Sequence, residues 1–187
     1  DLNQIIYPYI LTMINNCIGK KHMKHFQIGK DWHNYSHPKK PRYAASLHTN
    51  KSNTFSNKTI KIVTYNIKLA KKMRKALNLM LEHRDLDNAD IICLQEMDPD
   101  GVKLIANALK YNYVYYPAIL HPRSNKDFGN AILTKWPIIN DQKIILPKLG
   151  PGKLQRIAVS TTVLIHNVKI VVFCVHMKVY VKPCERR

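Results

Sequence analysis

Apolar residues follow two different periods along the chain from residue 60 onward. Short runs rich in β-branched residues, at 60–66 and 90–95, are typical of buried strands. Between them, from about residue 71 to 83, apolar residues recur on one helical face and basic residues on the other, which predicts an amphipathic helix. The same pattern predicts a shorter helix over residues 101–109. This region therefore begins as strand, helix, strand, helix.

Further apolar runs follow the second helix and predict strands joined largely by turns. They cover residues 112–116, 130–134, 143–146, 154–164 and 168–176. The last two flank Ile165-His166-Asn167-Val168, a sequence typical of a hairpin tip. Early helices and later antiparallel hairpins indicate an α/β (α+β) fold, part of a two-sheet, mostly antiparallel sandwich with outer helices.

Residues 1–58 lack this regularity. After an apolar start they contain clusters of Lys, His, Asn, Ser and Pro, which are typical of loops and linkers. Their irregular spacing favours a solvated basic arm over a metal site for the histidines of this segment: His22, His25, His33, His37 and His48. The aromatic residues expected to hold the arm against the domain are Trp32, Tyr35 and Tyr43. The sequence thus predicts an irregular, basic N-terminal extension or linker over residues 1–58 and a folded domain over residues 59–187.

Two predicted strands end in polar residues that suit a metal ion. The first ends in Asn66, and the run DIICLQE ends in Glu96. Ends of neighbouring strands meet at one edge of a sheet, where α/β proteins place ligands. Amide and carboxylate oxygens suit a hard cation such as Mg²⁺. Simpler interpretations exist for both residues: Glu96 could pair with a lysine such as Lys68, and Asn66 could end its strand in an Asx-turn.

Five motifs, in this order, resemble those of the endonuclease/exonuclease/phosphatase superfamily, the deoxyribonuclease-I-like fold. They are Thr64-Tyr65-Asn66, DIICLQE at 90–96, FGNAILTKWP at 128–137, Arg156-Ile157-Ala158 and VVFCVH at 171–176. The resemblance extends over about residues 60–178. It implies that Asn66 and Glu96 hold the metal site, with Mg²⁺ as cofactor and Mn²⁺ as the alternative.

The resemblance also implies roles for residues beyond the metal site. His176, with Asn66 and Glu96, would be catalytic and would contact the scissile phosphate as a proton donor or hydrogen-bond donor. Arg156 could fork two hydrogen bonds to a phosphate, and Asn130 lies near the family's active-site rim. The simpler interpretations are a core or edge histidine for His176 and a surface arginine for Arg156.

Departures from the family pattern narrow the prediction. Tyr65 stands where the exonuclease-III-like branch usually has Trp, and Leu154-Gln155-Arg156 replaces the Glu-Gly-Arg signature of the abasic-site branch. Both departures disfavour a repair endonuclease. The later family motifs, Gly-Asp-x-Asn and Ser-Asp-His, do not occur in this sequence. We therefore expect residues 59–187 to be the N-terminal half of such a domain, without its C-terminal half, and expect this chain to be inactive alone.

The net charge of +18 bears on the substrate. The excess is spread over the chain, with +7 in residues 1–58 and +11 in residues 59–187. A positive field favours polyanionic partners, namely nucleic acid, anionic lipid headgroups or phosphorylated small molecules, although a lysine-rich surface without a binding role is an equal alternative. The predicted function is Mg²⁺-dependent hydrolysis of a phosphodiester or phosphomonoester. A catalytically inactive nucleic-acid-binding module and a non-functional fragment are the alternatives.

The cysteines and the lengths of the apolar runs bear on where in the cell the protein resides. Cys17, Cys93, Cys174 and Cys184 form no CxxC pair and no zinc spacing with histidine, and this usage favours a reducing, intracellular compartment. No run approaches the roughly 20 apolar residues of a membrane span, so no transmembrane segment is predicted.

Overall fold

The computed structural model describes residues 35–46, 59–148 and 154–177, which form eight strands and two helices. In chain order these are β1 (Tyr43–Ala45), β2 (Ile62–Asn66), α1 (Met73–Glu82), β3 (Ile91–Met97), α2 (Pro99–Leu109), β4 (Asn112–His121), β5 (Lys126–Thr134), β6 (Ile138–Ile145), β7 (Ile157–Ile165) and β8 (Val168–Val175). Every strand and helix predicted from the sequence occurs, with shifted ends, and β1 is additional. Neither helix of the described ranges is long and apolar enough to cross a membrane.

The strands form two sheets. One has five strands in the order β1-β4-β5-β3-β2, and the other has three in the order β6-β7-β8. Strands β2 and β3 pair in parallel, and the other paired strands are antiparallel. Helix α1 connects β2 to β3, since parallel neighbours cannot be joined by a tight turn. The two-sheet, mostly antiparallel α/β fold expected from the sequence is confirmed.

Strand β3 lies between two apolar cores. Ile92 and Leu94 belong to the core between the larger sheet and the helices. Ile91 and Cys93 belong to the core between the two sheets. A strand covered on both faces must be apolar throughout, which explains the unbroken hydrophobic run that precedes Glu96.

A bulge interrupts β3 near its end. Gln95 pairs with Asn130 of β5 and Met97 pairs with Gly129, so Glu96 is an extra residue without a partner in this ladder. Its φ of 60° lies in the left-handed region. Met97, rather than Glu96, takes the next buried position on the helix-facing side. The bulge therefore keeps a hydrophobic side chain in the core and lets the carboxylate leave it.

Gly129 lies on β5 where the main chain of β4 leaves no room for a side chain. A Cβ atom there would lie 2.0 Å from the main-chain oxygen of Tyr116 and 2.6 Å from Cα of Pro117. The pairing of β4 with β5 shifts register between Pro117 and Ile119. The sequence prediction ended this strand at Tyr116, but proline is tolerated at such irregularities and the strand continues to His121.

The start of α2 and the β7–β8 turn have the structures that their sequences predict. Asp98 caps α2 and accepts a hydrogen bond from the Gly101 N–H at 2.7 Å, with Pro99 in the first helical position. The β7–β8 hairpin turns at His166 and Asn167, whose φ angles of 46° and 65° are those of a type I′ turn.

Part of the expected N-terminal extension is ordered against the domain. Strand β1 pairs with β4, which the sequence did not predict. The Tyr35 hydroxyl donates to one carboxylate oxygen of Asp127 at 2.5 Å, and the Tyr43 hydroxyl donates to the other at 3.1 Å. These two aromatic residues hold the segment as expected. The expectations for Trp32, His22, His25, His33, His48, Cys17 and Cys184 lie outside the described residues.

Lys143 of β6 holds the same segment from the other sheet. It is 1% exposed, and its Nζ donates to the main-chain oxygens of Tyr35 at 3.1 Å and Lys40 at 2.5 Å. Burial lowers the pKa of Lys143 to about 8. This contact joins residues 35–41 to the smaller sheet, whereas β1 joins the segment to the larger one.

Candidate active site

Strand ends from both sheets bring together four side chains. Asn66 ends β2, Glu96 lies at the bulge of β3, Arg156 precedes β7 and His176 follows β8. The parallel pairing of β2 with β3 places the first two at one sheet edge. The antiparallel pairing of β7 with β8 places the other two at one end of the smaller sheet. The fold thus brings together residues separated by as many as 110 positions.

The carboxylate of Glu96 is held by neutral donors. Its Oε1 accepts a hydrogen bond from Asn66 Nδ2 at 3.2 Å, and its Oε2 accepts one from the Leu69 main-chain N–H at 3.0 Å. His176 Nε2 lies 3.6 Å from Oε1, and the Glu96 side chain is 20% exposed. In the described ranges no ion pair joins Glu96 to Lys68, so the simpler interpretation of this glutamate is not what the structure has.

Asn66 makes both kinds of contact that the sequence suggested, namely an Asx-type contact at the strand end and a contact with Glu96. Its Oδ1 accepts a hydrogen bond from the Lys68 main-chain N–H at 2.9 Å, which is an Asx-type contact. Its Nδ2 faces Glu96 and also lies 3.5 Å from His176 Nε2. The contact with Lys68 therefore fixes the orientation of the amide that holds the glutamate.

The contact with Arg156 sets the tautomer of His176. An Nη atom of Arg156 lies 2.8 Å from Nδ1 of the imidazole. A guanidinium can only donate, so Nδ1 accepts and the proton of the neutral ring resides on Nε2. Burial, and then the charge of Arg156, lower the pKa of His176, while Glu96 acts in the opposite direction. Near neutral pH the ring is thus a neutral Nε2–H donor, which favours hydrogen bonding over proton donation.

Phe128 forms an apolar wall beside this pair. Its ring centroid lies 6.0 Å from that of His176, and the guanidinium carbon of Arg156 lies 5.5 Å from the Phe128 centroid. Burial lowers the pKa of Arg156, and the charge of Glu96 opposes this shift. The FGN motif was predicted from the sequence to lie near the site, but no role was predicted for its phenylalanine. The sequence feature that could have indicated a role for Phe128 is its position directly before the glycine of the motif.

Asn130 has an internal role in the structure. It is 2% exposed, and its Nδ2 donates to the main-chain oxygens of Ile157 at 3.0 Å and Cys174 at 3.3 Å. Both amide hydrogens are therefore used to join β5 to β7 and β8 beneath the site. A direct phosphate contact by Asn130 stays a prediction, and these contacts do not favour it.

Gln95 makes a second polar link that the sequence analysis did not identify. Its Nε2 donates to Thr64 Oγ1 at 3.0 Å and lies 3.3 Å from the sulfur of Cys174. Cys93 and Cys174 are free and buried, as expected from their apolar surroundings. No sequence signal distinguishes Gln95 from a surface residue at a strand end, since its role depends on the second sheet.

The oxygen ligands at this site, from Glu96 and Asn66, suit a cation that needs few ligands from the protein. Over residues 35–46, 59–148 and 154–177, no three His, Cys, Asp or Glu side chains are grouped so that they could enclose a metal ion. Mg²⁺ commonly takes one or two carboxylates and completes its shell with water and substrate oxygens. Glu96, bonded to neutral donors and partly exposed, meets that requirement, and the second lone pair of Asn66 Oδ1 could contribute.

Comparison with known proteins gives a family match. The model described as "Endonuclease/Exonuclease/phosphatase family" matches residues 63–171, more than half of the 187 residues. No curated protein matches the chain.

Two solved structures are similar to this chain. One is an endonuclease/exonuclease/phosphatase family protein from Leptotrichia buccalis C-1013-b, with 15% sequence identity and a TM-score of 0.53, covering 68% of this chain and 57% of that one. Another family protein, from Bacteroides thetaiotaomicron, has 18% identity and a TM-score of 0.45, covering 61% of this chain and 49% of its own. The chain thus spans about half the length of each. With the family match over residues 63–171, the chain belongs to the endonuclease/exonuclease/phosphatase family.

Proposed function

We propose that this chain carries part of a divalent-metal-dependent site that hydrolyses a phosphodiester or phosphomonoester. Members of the family are typically hydrolases that act on phosphate esters and commonly use divalent metals. The observation that carries the proposal is the meeting of Asn66, Glu96, Arg156 and His176 at one place, because it combines a cation ligand with two phosphate-binding groups.

Glu96 and Asn66 form the metal-binding part of the proposed site. Glu96 would bind Mg²⁺, or Mn²⁺ in its place, through its carboxylate, and Asn66 keeps that carboxylate turned toward the site. The bound cation would stabilise negative charge on a phosphate oxygen. The Leu69 N–H holds the second carboxylate oxygen, so the ligand is oriented before a cation arrives.

Arg156 and His176 form the phosphate-binding part. Arg156 carries a fixed positive charge and has donors beyond the nitrogen that contacts the imidazole. His176 presents its Nε2–H toward the same space, where it can donate to a phosphate oxygen. Phe128 limits how far either side chain can turn. Together these groups would hold the ester beside the Glu96 carboxylate.

We further propose that residues 59–187 are the N-terminal part of the hydrolase domain, preceded by the extension of residues 1–58. The family match over residues 63–171 lies within this range, and coverage of 57% of the Leptotrichia structure is what a part of such a domain would give. Hydrolysis also needs a base that activates water, and the four side chains described include one carboxylate, which is committed to the cation. We therefore expect the isolated chain to be inactive.

The test compares two matched glutamate variants in the 187-residue chain. Glu96→Gln should abolish saturable Mn²⁺ or Mg²⁺ binding, measured by calorimetry, and any residual metal-dependent hydrolysis of bis-p-nitrophenyl phosphate. Glu82→Gln removes the same charge from an exposed position at the end of α1 and should change neither. Cooperative urea unfolding shows whether each variant is folded. Unchanged cation binding by a folded Glu96→Gln protein would remove Glu96 from the metal site.

The substrate class is tested separately, by measuring hydrolysis of a panel of phosphate esters. Plasmid DNA, RNA, inositol phosphates and sphingomyelin cover nucleic acids, small phosphate esters and lipid headgroups. We expect turnover of at least one of them by a protein that contains the complete domain. Activity confined to substrates without phosphorus would refute the phosphoesterase proposal. Salt-sensitive polyanion binding without metal-dependent turnover by that complete domain would instead favour a catalytically inactive binding module.

A further inference from the structure

Two thiols from opposite sheets meet in the core beneath the candidate active site. Cys93 belongs to β3 and Cys174 to β8, and both side chains lie in the core between the sheets. Both thiols are free, and they are 5% and 1% exposed. Cys93 precedes Glu96 by three positions, and Cys174 precedes His176 by two. Each thiol is therefore on the same strand end as one residue of the site.

The contacts of Cys174 place its sulfur against β3, next to Cys93. The sulfur lies 3.5 Å from the main-chain oxygen of Leu94 and 3.3 Å from Nε2 of Gln95. The same Nε2 donates to the main-chain oxygen of Cys93 at 3.3 Å. Cys93 and Gln95 project from one face of β3, because side chains two positions apart share a face of a strand. The Cys174 sulfur thus lies over the part of β3 that carries Cys93, and the two thiols are hydrogen-bonded to each other.

The hydrogen bond makes the two thiols chemically different. It lowers the pKa of Cys93, and together with burial it raises the pKa of Cys174. The thiolate is the nucleophilic form of cysteine, so Cys93 is the thiol that reacts with an oxidant. Redox-sensitive cysteines commonly lie beside a second, resolving cysteine, and Cys174 has that position.

We infer that Cys93 and Cys174 are a redox-modification site, at which hydrogen peroxide forms a reversible disulfide between the two sheets. The Cys93 thiolate attacks one peroxide oxygen and breaks the O–O bond, which gives a sulfenic acid and a hydroxide that takes up a proton to become water. The Cys174 thiol then attacks the sulfenic sulfur, and its proton leaves with the hydroxyl group as a second water. The two thiols lose two electrons, and the peroxide gains them. Formation of this bond does not depend on the proposed function.

The position of β8 gives a small oxidant a route to the pair. Among the described strands β8 pairs with β7 alone, so it forms an edge of the smaller sheet. Strand ends open locally far more often than the whole domain unfolds. Val175, which ends β8 directly after Cys174, is 37% exposed. Opening of this end uncovers both thiols, and closing returns them to contact. In a reducing compartment such a disulfide is transient, and the pair returns to the thiol form.

The disulfide would act on the geometry of the candidate site. A sulfur–sulfur bond of about 2.05 Å is shorter than any hydrogen-bond contact between two thiols. Its formation draws the end of β8 and the end of β3 into a new relative position. His176 Nε2 and Glu96 Oε1 lie on these two ends, 3.6 Å apart. Oxidation should therefore change the environment of His176.

The experiment uses the 187-residue chain with Cys17→Ser and Cys184→Ser, so that Cys93 and Cys174 are its only thiols. The folded protein is treated with hydrogen peroxide in EDTA, and remaining thiols are then labelled with N-ethylmaleimide in urea. Intact mass and non-reducing peptide maps identify the product. The matched variants are Cys93→Ser and Cys174→Ser in the same background, and cooperative unfolding is checked for each.

We expect the pair to lose two hydrogen atoms, to give a peptide joined through Cys93 and Cys174, and to regain two labelled thiols after dithiothreitol. Cys174→Ser should leave a sulfenic acid at Cys93 that dimedone traps, and Cys93→Ser should leave Cys174 at least about tenfold slower to oxidise. Thiols that stay reduced, a disulfide that forms only in urea, or separate sulfinic acids without a disulfide would overturn the inference.

Histidine NMR spectra of the reduced and oxidised forms test the link to the site. The His176 resonances should shift on oxidation and return with dithiothreitol, whereas those of His83, at the end of α1, should stay unchanged. Unchanged His176 resonances in a disulfide-bonded protein would refute the link. These measurements use neither metal nor substrate, so failure of the Glu96→Gln test would leave them unaffected, and the two proposals fail separately.

Discussion

Asn66 donates through Nδ2 to Glu96 Oε1 at 3.2 Å, while its own Oδ1 is held by the Lys68 N–H. Replacing Asn66 with Asp would set a carboxylate oxygen against the Glu96 carboxylate. Such a pair raises the pKa of one acid in the folded protein. We expect Asn66→Asp to lower the free energy of unfolding by about 1 to 3 kcal/mol at neutral pH. Because the folded pKa is raised, the deficit should shrink as pH falls through that pKa, and Mg²⁺ should restore stability.

The control for this prediction is Asn66→Ala, measured by urea unfolding across the same pH range. It removes the hydrogen bond without adding charge, so its deficit should not shrink at acid pH, and Mg²⁺ should stabilise it no more than it stabilises the wild-type chain. Identical behaviour of the two variants would mean that Asn66 and Glu96 do not share a cation site.

His176 should titrate below the ordinary histidine range because burial and Arg156 both disfavour its charged form. The neutral ring therefore contributes stability that is fully present above the unfolded pKa of about 6.5 and lost as pH falls below it. Arg156→Gln should raise the pKa of His176, since the nearby positive charge is removed. Histidine NMR titration, assigned with His176→Gln, measures the shift.

Arg84→Gln is the control for the histidine titration because Arg84 is exposed and is not among the four residues of the site. It should leave the His176 pKa unchanged. A His176 pKa that does not respond to Arg156→Gln would contradict the 2.8 Å contact and the tautomer assigned from it.

Gly129 should tolerate substitution far less than Gly101. A Cβ at Gly129 meets main-chain atoms at 2.0 and 2.6 Å, and these cannot move without breaking the β4–β5 ladder. A Cβ at Gly101 meets side-chain atoms of Asp98 at 2.8 Å and Met73 at 3.1 Å, which can shift. We expect Gly129→Ala to lose more than about 3 kcal/mol or to be insoluble, and Gly101→Ala to lose about 1 kcal/mol. Urea midpoints compare them, and similar losses would contradict the close approach.

The proximity of Asn66 and Glu96 could be predicted because it depends on local pattern. Two apolar runs separated by one amphipathic helix indicate parallel neighbouring strands, and the ends of such strands meet at one sheet edge. The pairing of β2 with β3 confirms this. The bulge at Glu96 was not predictable from alternation alone, since it arises because Met97 occupies the buried position.

Contacts between the sheets could not be predicted from the sequence pattern. The positions of Arg156 and His176 relative to Glu96, and the links made by Gln95 and Asn130, depend on how one sheet packs on the other. Strand β1 was missed for a related reason. Its three residues carry no periodic signal, and they pair with a strand about 70 positions away.

The last prediction concerns Lys143, which is buried beneath residues 35–41 and donates to two main-chain oxygens. Burial lowers its pKa to about 8 in the folded protein, whereas an unfolded lysine titrates near 10.4. Between these values the unfolded chain binds more protons, so the contribution of Lys143 to the free energy of unfolding should rise with pH. The quantity to measure is the stability of wild type minus that of Lys143→Met, from urea unfolding at several pH values, because other titrating groups cancel in the difference. This stability difference should increase from about pH 8 to 10 and stay constant below pH 8.

In Lys143→Met the oxygens of Tyr35 and Lys40 also lose their donor, so amide exchange in residues 35–46 should accelerate more than in β5. A difference that falls with rising pH would show that the two hydrogen bonds, rather than burial, control the protonation of Lys143.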